Sequence, residues 1–213
     1  VLDWQVQTYV KPFVEKGFDA LAVDNYNLEN SWRACGVWRN SSNGTSTEWV
    51  QLFAGTRPHD AAWQQATIRW LERMKARVNA LTTRRGGKML IIPNWGPSGL
   101  GWNNSVVERV GNASDGILSE MGITGMGPRN GKPYGFVGKA WVQRIEFMRN
   151  LQAHGRAAFF IDQYGDVDNV SSWKTPCATE PRNCITKAVR QWCLASYLMG
   201  RGDSAALFLS GIQ

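Results

Sequence analysis

The sequence predicts an α/β fold built on a parallel sheet, and three observations carry that prediction. Short apolar runs that read as strands alternate with longer stretches of helical periodicity. Those runs are apolar on both faces, as expected of strands covered by helices on either side. Helix-to-strand links are short (KG, RRGG, HG, GRG), whereas strand-to-helix links are long and rich in Trp, Asn, Gly and Asp. Such asymmetry collects chemistry at the C-terminal ends of the strands in a (β/α) barrel and in an open doubly wound sheet alike, so closure is left open. An open nucleotide-binding sheet would also carry a glycine-rich phosphate loop that opens a helix. GMGPRNG, 125–131, follows an acid instead and reads as a loop.

Each element follows from its pattern. Over residues 5–16, Val6, Tyr9, Val10 and Phe13 recur at helical spacing, and Gly17 closes the helix. Ala20 to Val23 reads as a buried strand, and 31–57 as a long polar loop. Asp60 is the N-cap of a long helix whose apolar stripe is Trp63, Ile68, Trp70, Leu71, Met74, Val78 and Leu81; Gly86-Gly87 ends it. Lys88 to Ile92 is the second strand. A short helix at Val106 to Val110 leads to the strand Gly116 to Ser119. Trp141, Ile145, Met148 and Leu151 mark the next helix, followed by the strand Arg156 to Ile161. Val189, Trp192, Ser196 and Met199 trace the last helix, and Ala205 to Leu209 the last strand.

Composition narrows the function classes. The 213 residues are 43% hydrophobic and only 19% charged, which fits a packed core and not a disordered chain. Eleven tryptophans exceed what such a core needs, leaving some to stack on flat apolar faces such as sugar rings. The net charge of +7 comes from scattered residues, the one dense cluster being Arg84-Arg85 with Lys88, and no nucleic-acid-binding signature accompanies it. No nucleic-acid partner is therefore expected. Nor is a membrane span, because no apolar run is long enough.

Five glycosylation sequons, at Asn40, Asn43, Asn103, Asn112 and Asn169, exceed what this Asn, Ser and Thr content yields by chance. Four cysteines, Cys35, Cys177, Cys184 and Cys193, are disulfide candidates whose connectivity sequence alone leaves open. Together they predict a secreted, extracellular or cell-surface glycoprotein. There is no signal peptide, and Val1 falls inside a helix lead-in, so the chain reads as cut from a longer one. Cys177 and Cys184 lack ligand partners at metal spacing, and His59 and His154 read as residues near helix ends, so no metal or cofactor is implied.

Reading the predicted strand ends in order gives Asp24, then Asn94 just after Ile92-Pro93, then Glu120, Asp162 and Ser210. Three of these five are carboxylates. Strands that end in acids incur desolvation and mutual repulsion, a cost tolerated where carboxylates work or where Arg and N–H partners fix them. Carboxylate pairs among Trp, Tyr and Asn suit glycoside hydrolysis, in which one acid protonates the leaving oxygen and the other attacks or stabilises the sugar centre. Asn25, Tyr26, Trp32, Trp38, Asn94, Trp95, Trp102 and Tyr164 follow strand ends and are the candidate sugar-binding residues. Asp166 and Asp168 read as solvated loop acids, and Asp115, at the start of a strand, as a turn former.

Four ordered blocks carry a family resemblance. LDWQVQTYVKPFVEKG with GFDALAVDNY, DGILSEMG at 115–122, RAAFFIDQYGD at 156–166, and ASYLMGRGDSAALFLSG at 195–211 together resemble the glycosyl-hydrolase-like (β/α)8-barrel families around the endo-α-1,4-polygalactosaminidase relatives. The resemblance implies the C-terminal part of a TIM-type (β/α)8 barrel, about strands four to eight, as a single partial domain over 1–213. The N-terminal strands would be missing, to be completed by another segment or a second polypeptide. It also implies a retaining O-glycosidase acting on a polysaccharide or glycoprotein glycan, with Asp24 as nucleophile, Glu120 as acid/base and Asp162 as a supporting carboxylate. The rival expectation is a catalytically inactive module that binds glycan or packs within an extracellular assembly.

Overall fold

A computed structural model describes residues 1–41, 44, 46–56, 60–96, 104–120, 122–123, 137–164 and 187–211. The chain divides into two compact units, Val1–Asp19 with Asn25–Met89, and Ala20–Asp24 with Leu90–Gln213.

The first unit is mainly helical. Helices α1 (Leu2–Gln5) and α2 (Lys11–Glu15) flank a π-helical stretch, Val6–Val10. The wide turn lies just before Pro12, whose ring would clash with the preceding turn of a regular α-helix and which has no N–H to donate. Val6, Val10 and Val14 are buried along this segment. They share the unit's core with Ile68, Leu71, Met74 and Val78 of α3 (Ala61–Asn79), the i, i+3 and i+4 stripe that the sequence predicts. Asp60 caps α3 by accepting from Trp63 N at 3.1 Å.

The polar loop expected over 31–57 instead contains a hairpin. Strands β2 (Gly36–Asn40) and β3 (Thr47–Gln51) pair antiparallel, with Trp38 opposite Trp49. The signal lay in two runs of aromatic and β-branched residues on either side of an Asn-Gly pair. Gly36 is required here because a Cβ would fall 2.1 Å from Val50 O.

The second unit holds the parallel strands: β1 (Ala20–Val23), β4 (Leu90–Pro93), β5 (Gly116–Ser119), β6 (Ala157–Tyr164) and β7 (Ala205–Gly211). β1 pairs with β4, and β5 with β6 and β7, all parallel. β4 and β5 run alongside each other through the parallel bridge Asn94↔Leu118 and the bonds Asp115 N→Ile91 O and Trp95 N→Leu118 O. Asp115 fastens the opposite end, its carboxylate accepting from Ile91 N at 3.1 Å. It is a staple between strands and not merely a turn former.

The barrel expectation is overturned. Among the described residues the strands form sheets of two, two and three, one of them antiparallel, and none closes. Closure requires every edge strand to find a partner with a consistent stagger, whereas β1 pairs on one side only. Nor are the strands buried on both faces. Ile91, Pro93, Ile117, Ser119, Ala158 and Phe160 are buried on one face, while Ala22, Ile92, Leu118 and Phe159 on the other are half-buried or exposed. Helices α4 (Ser105–Asn112), α5 (Gly138–Ala153) and α6 (Lys187–Gly200) complete the unit. α5 contributes Ile145, Phe147, Met148 and Leu151 to the core, each burial worth about 1.5–3 kcal/mol relative to exposure.

Candidate active site at the ends of β1, β4 and β5

Strand register brings three polar side chains together. Val23 is paired with Pro93, so the next residues, Asp24 and Asn94, lie side by side as each chain leaves its strand. Asn94 N also donates to Val23 O at 2.8 Å. Asn94 is bridged to Leu118. With a side-chain period of two, Glu120 continues the face of Leu118 and thus that of Asn94. All three belong to the second unit.

The side chains meet at one nitrogen. Asn94 Nδ2 donates to Asp24 Oδ1 at 2.9 Å and to Glu120 Oε2 at 3.0 Å. Both partners are acceptors, which fixes the amide with its NH2 toward them. The two bond lengths together limit the Oδ1–Oε2 separation to 5.9 Å. Two N–H bonds diverging from a trigonal nitrogen would set it at about 5 Å. Asp24 and Glu120 are both solvent-exposed, and the chain turns sharply behind Asp24, where Asn25 takes the left-handed φ of 51°.

Asp162 lies elsewhere. Register pairs Ser119 with Phe160, so alternation puts Asp162 on the face of those two buried residues, away from the face of Leu118. It is 0% exposed, and its Oδ1 accepts from Ile123 N at 2.5 Å. Gly122 permits this approach: its φ is +34°, and a Cβ there would fall 2.1 Å from Asp162 Oδ1. The third acid therefore fixes the backbone that follows Glu120.

The expected sugar-binding residues divide sharply. Asn94 is the link between the acids, a role sharper than contact with sugar. Trp95 is buried at 8% exposure with its ring edge-on to Phe147 of α5, so it is a core residue. Asn25, Tyr26, Trp32 and Trp38 belong to the first unit. There Tyr26 is buried and its hydroxyl donates to Thr67 O at 3.4 Å, while Trp32 and Trp38 are 84% and 68% exposed. Trp102 lies outside the described residues, as does the side chain of Tyr164.

Arg144 was missed in the sequence. It is buried on α5, donates from Nη1 to Ser119 Oγ at 3.2 Å, and lies against Gly96, where a Cβ would come within 3.0 Å of Nη1. Its position i+3 from Trp141, on the apolar stripe of α5, was the available signal. No disulfide is present among the described residues, and Cys177 and Cys184 lie outside them. Of the sequons, Asn40 and Asn112 are exposed, and Asn43, Asn103 and Asn169 lie outside the described residues. Among the described residues no helix is long and apolar enough to cross a membrane. No known family model matches the chain, and no curated protein matches it.

Proposed function

We propose that the chain hydrolyses O-glycosidic bonds of an extracellular polysaccharide or glycoprotein glycan, with retention of configuration. The reading rests on one observation: Asp24 and Glu120 are tied to a single amide nitrogen, with no more than 5.9 Å between the bonded oxygens. Retaining glycosidases hold their carboxyl groups about 5–5.5 Å apart, and inverting ones about 6.5–9.5 Å. In the first step Glu120 protonates the glycosidic oxygen as an Asp24 oxygen attacks the anomeric carbon. The bond to the leaving group breaks, leaving a glycosyl ester on Asp24. In the second, Glu120 takes a proton from water, whose oxygen attacks the same carbon and releases the sugar. Asn94 Nδ2 holds one oxygen of each acid and so fixes how the pair is oriented. Asp162 acts at a distance, holding the chain behind Glu120.

A panel of aryl glycosides tests the assignment. Asp24→Asn should abolish turnover of every substrate. Glu120→Gln should lose at least about 10³-fold on substrates with poor leaving groups and far less on dinitrophenyl glycosides, which need no acid. Wild-type turnover in both variants would end the proposal.

The rival, a non-catalytic glycan-binding module, draws on the exposure of Trp32 and Trp38 in the first unit. It requires that glycan binding survive in Asp24→Asn and that no aryl glycoside be cleaved by the wild type.

A further inference from the structure

The β2–β3 hairpin carries a feature independent of the acid pair. Asn40, in the sequon Asn40-Ser41-Ser42, is exposed at the end of β2, and Trp38 precedes it by two residues. Residues two apart on a strand share a face and lie about 6.7 Å apart along it. Register puts Trp49 opposite Trp38 and Thr47 opposite Asn40, so these four side chains occupy one face of the ribbon. The bond Ser41 N→Ser46 O makes Ser41–Ser46 a hydrogen-bonded pair. Alternation then makes Asn40–Thr47 and Trp38–Trp49 non-bonded pairs, in which opposing side chains are closest. The indoles meet edge to face, 5.5 Å between centroids at 63°. Trp38 remains 68% exposed, a large flat apolar surface on a two-stranded ribbon with little core of its own.

We infer that Asn40 carries an N-linked glycan whose first sugar covers the Trp38 indole. A pyranose ring attached at Asn40 is of the size to span the distance to the neighbouring indole, and the axial C–H face of N-acetylglucosamine suits a π face. The donor is a lipid-pyrophosphate-linked oligosaccharide. Asn40 Nδ2 attacks C1 of its reducing-end N-acetylglucosamine; the C1–O bond breaks, the pyrophosphate leaves with the electron pair, and the amide loses one proton to base. The attached sugar then shields the exposed tryptophan and stiffens the hairpin.

The test uses the full chain secreted from a glycosylating eukaryotic cell. Enzymatic deglycosylation in 18O water followed by peptide fragmentation separates Asn40 from Asn43. On a separate, still glycosylated sample an endoglycosidase trims each glycan to the one N-acetylglucosamine attached to Asn, and its N-acetyl and ring protons are observed by NMR. Occupancy at Asn40 is expected, with upfield ring-current shifts of the sugar protons that disappear in Trp38→Val, a change that keeps strand propensity. Trp49→Val controls for damage to the ribbon and should leave the shifts largely in place. An unmodified Asn40, or sugar protons without a Trp38-dependent shift, would overturn the inference. Catalytic turnover is not read in this experiment, so its failure leaves the acid-pair proposal untouched.

Discussion

Two carboxylates about 5 Å apart at an exposed site repel each other by on the order of 1 kcal/mol. The Asn94 amide offsets that repulsion with two charge-assisted hydrogen bonds. In the proposed hydrolysis its contribution is positional, so removing it should misplace the acid pair more than it weakens binding. Asn94→Ala is expected to lower kcat about 10²-fold with KM nearly unchanged, measured on the aryl glycoside that the wild type cleaves best. Asn94→Asp replaces the donor amide with a further acid beside the pair and should be worse on kcat. Equal losses in binding and turnover would instead mark Asn94 as a substrate ligand. Asp24 and Glu120 were legible in the sequence because each directly follows an apolar strand. The link through Asn94 was not, because it depends on the stagger of β4 against its neighbours, and no single strand records that.

At the scale of elements, strand alternation assigned the roles that sequence reading blurred. Asp162 and Trp95 each follow an apolar run just as Asp24 does, but both point to the helix-covered face. A linear list of strand ends cannot show which face a residue takes once the strand continues past it, as β6 does to Tyr164. The loop behind Glu120 depends on the contact between Asp162 and the Gly122–Ile123 backbone. Gly122→Ala brings a methyl group against a buried carboxylate oxygen at positive φ, and should destabilise the protein by about 1–3 kcal/mol, measured by denaturant unfolding. Turnover should fall along with stability. The hairpin was lost to the sequence reading because its length and polarity resembled a loop. Its aromatic pair supplies a check: a double-mutant cycle at Trp38 and Trp49, in non-glycosylated protein, should give a coupling of about 0.5–1.5 kcal/mol.

For the whole molecule, strand and helix order outside the β2–β3 hairpin was readable because buried periodicity survives in local sequence, and β1 and β5 fall where the apolar runs placed them. Closure was not readable. It is decided by which edges find partners, and among the described residues β1 pairs on one side only. Acid stability follows from a buried anion in the first unit. Burial pushes the Asp60 carboxyl up. Hydrogen bonds from Asn30 and from the backbone N–H groups of Trp63, Gly55 and Thr56 outweigh it, leaving the folded-state pKa below the ordinary value. The unfolded chain therefore binds that proton more readily. The stability is present above about pH 4 and is lost as pH falls through the folded-state value. Asp60→Asn keeps a capping oxygen but removes the titration, so it should flatten the acid limb of a stability-versus-pH curve while altering the neutral region less.

In the proposed reaction Asp24 forms a covalent bond to sugar while Glu120 assists. Mechanism-based trapping reads this directly. The protein is incubated with dinitrophenyl 2-deoxy-2-fluoroglycosides and 5-fluoroglycosyl fluorides of both anomeric series, then digested and mapped by mass spectrometry. One glycosyl adduct is expected on the peptide containing Asp24, absent from Asp24→Asn. A label on another residue, or a wild-type protein that neither hydrolyses nor is labelled by any member of the series, would contradict it.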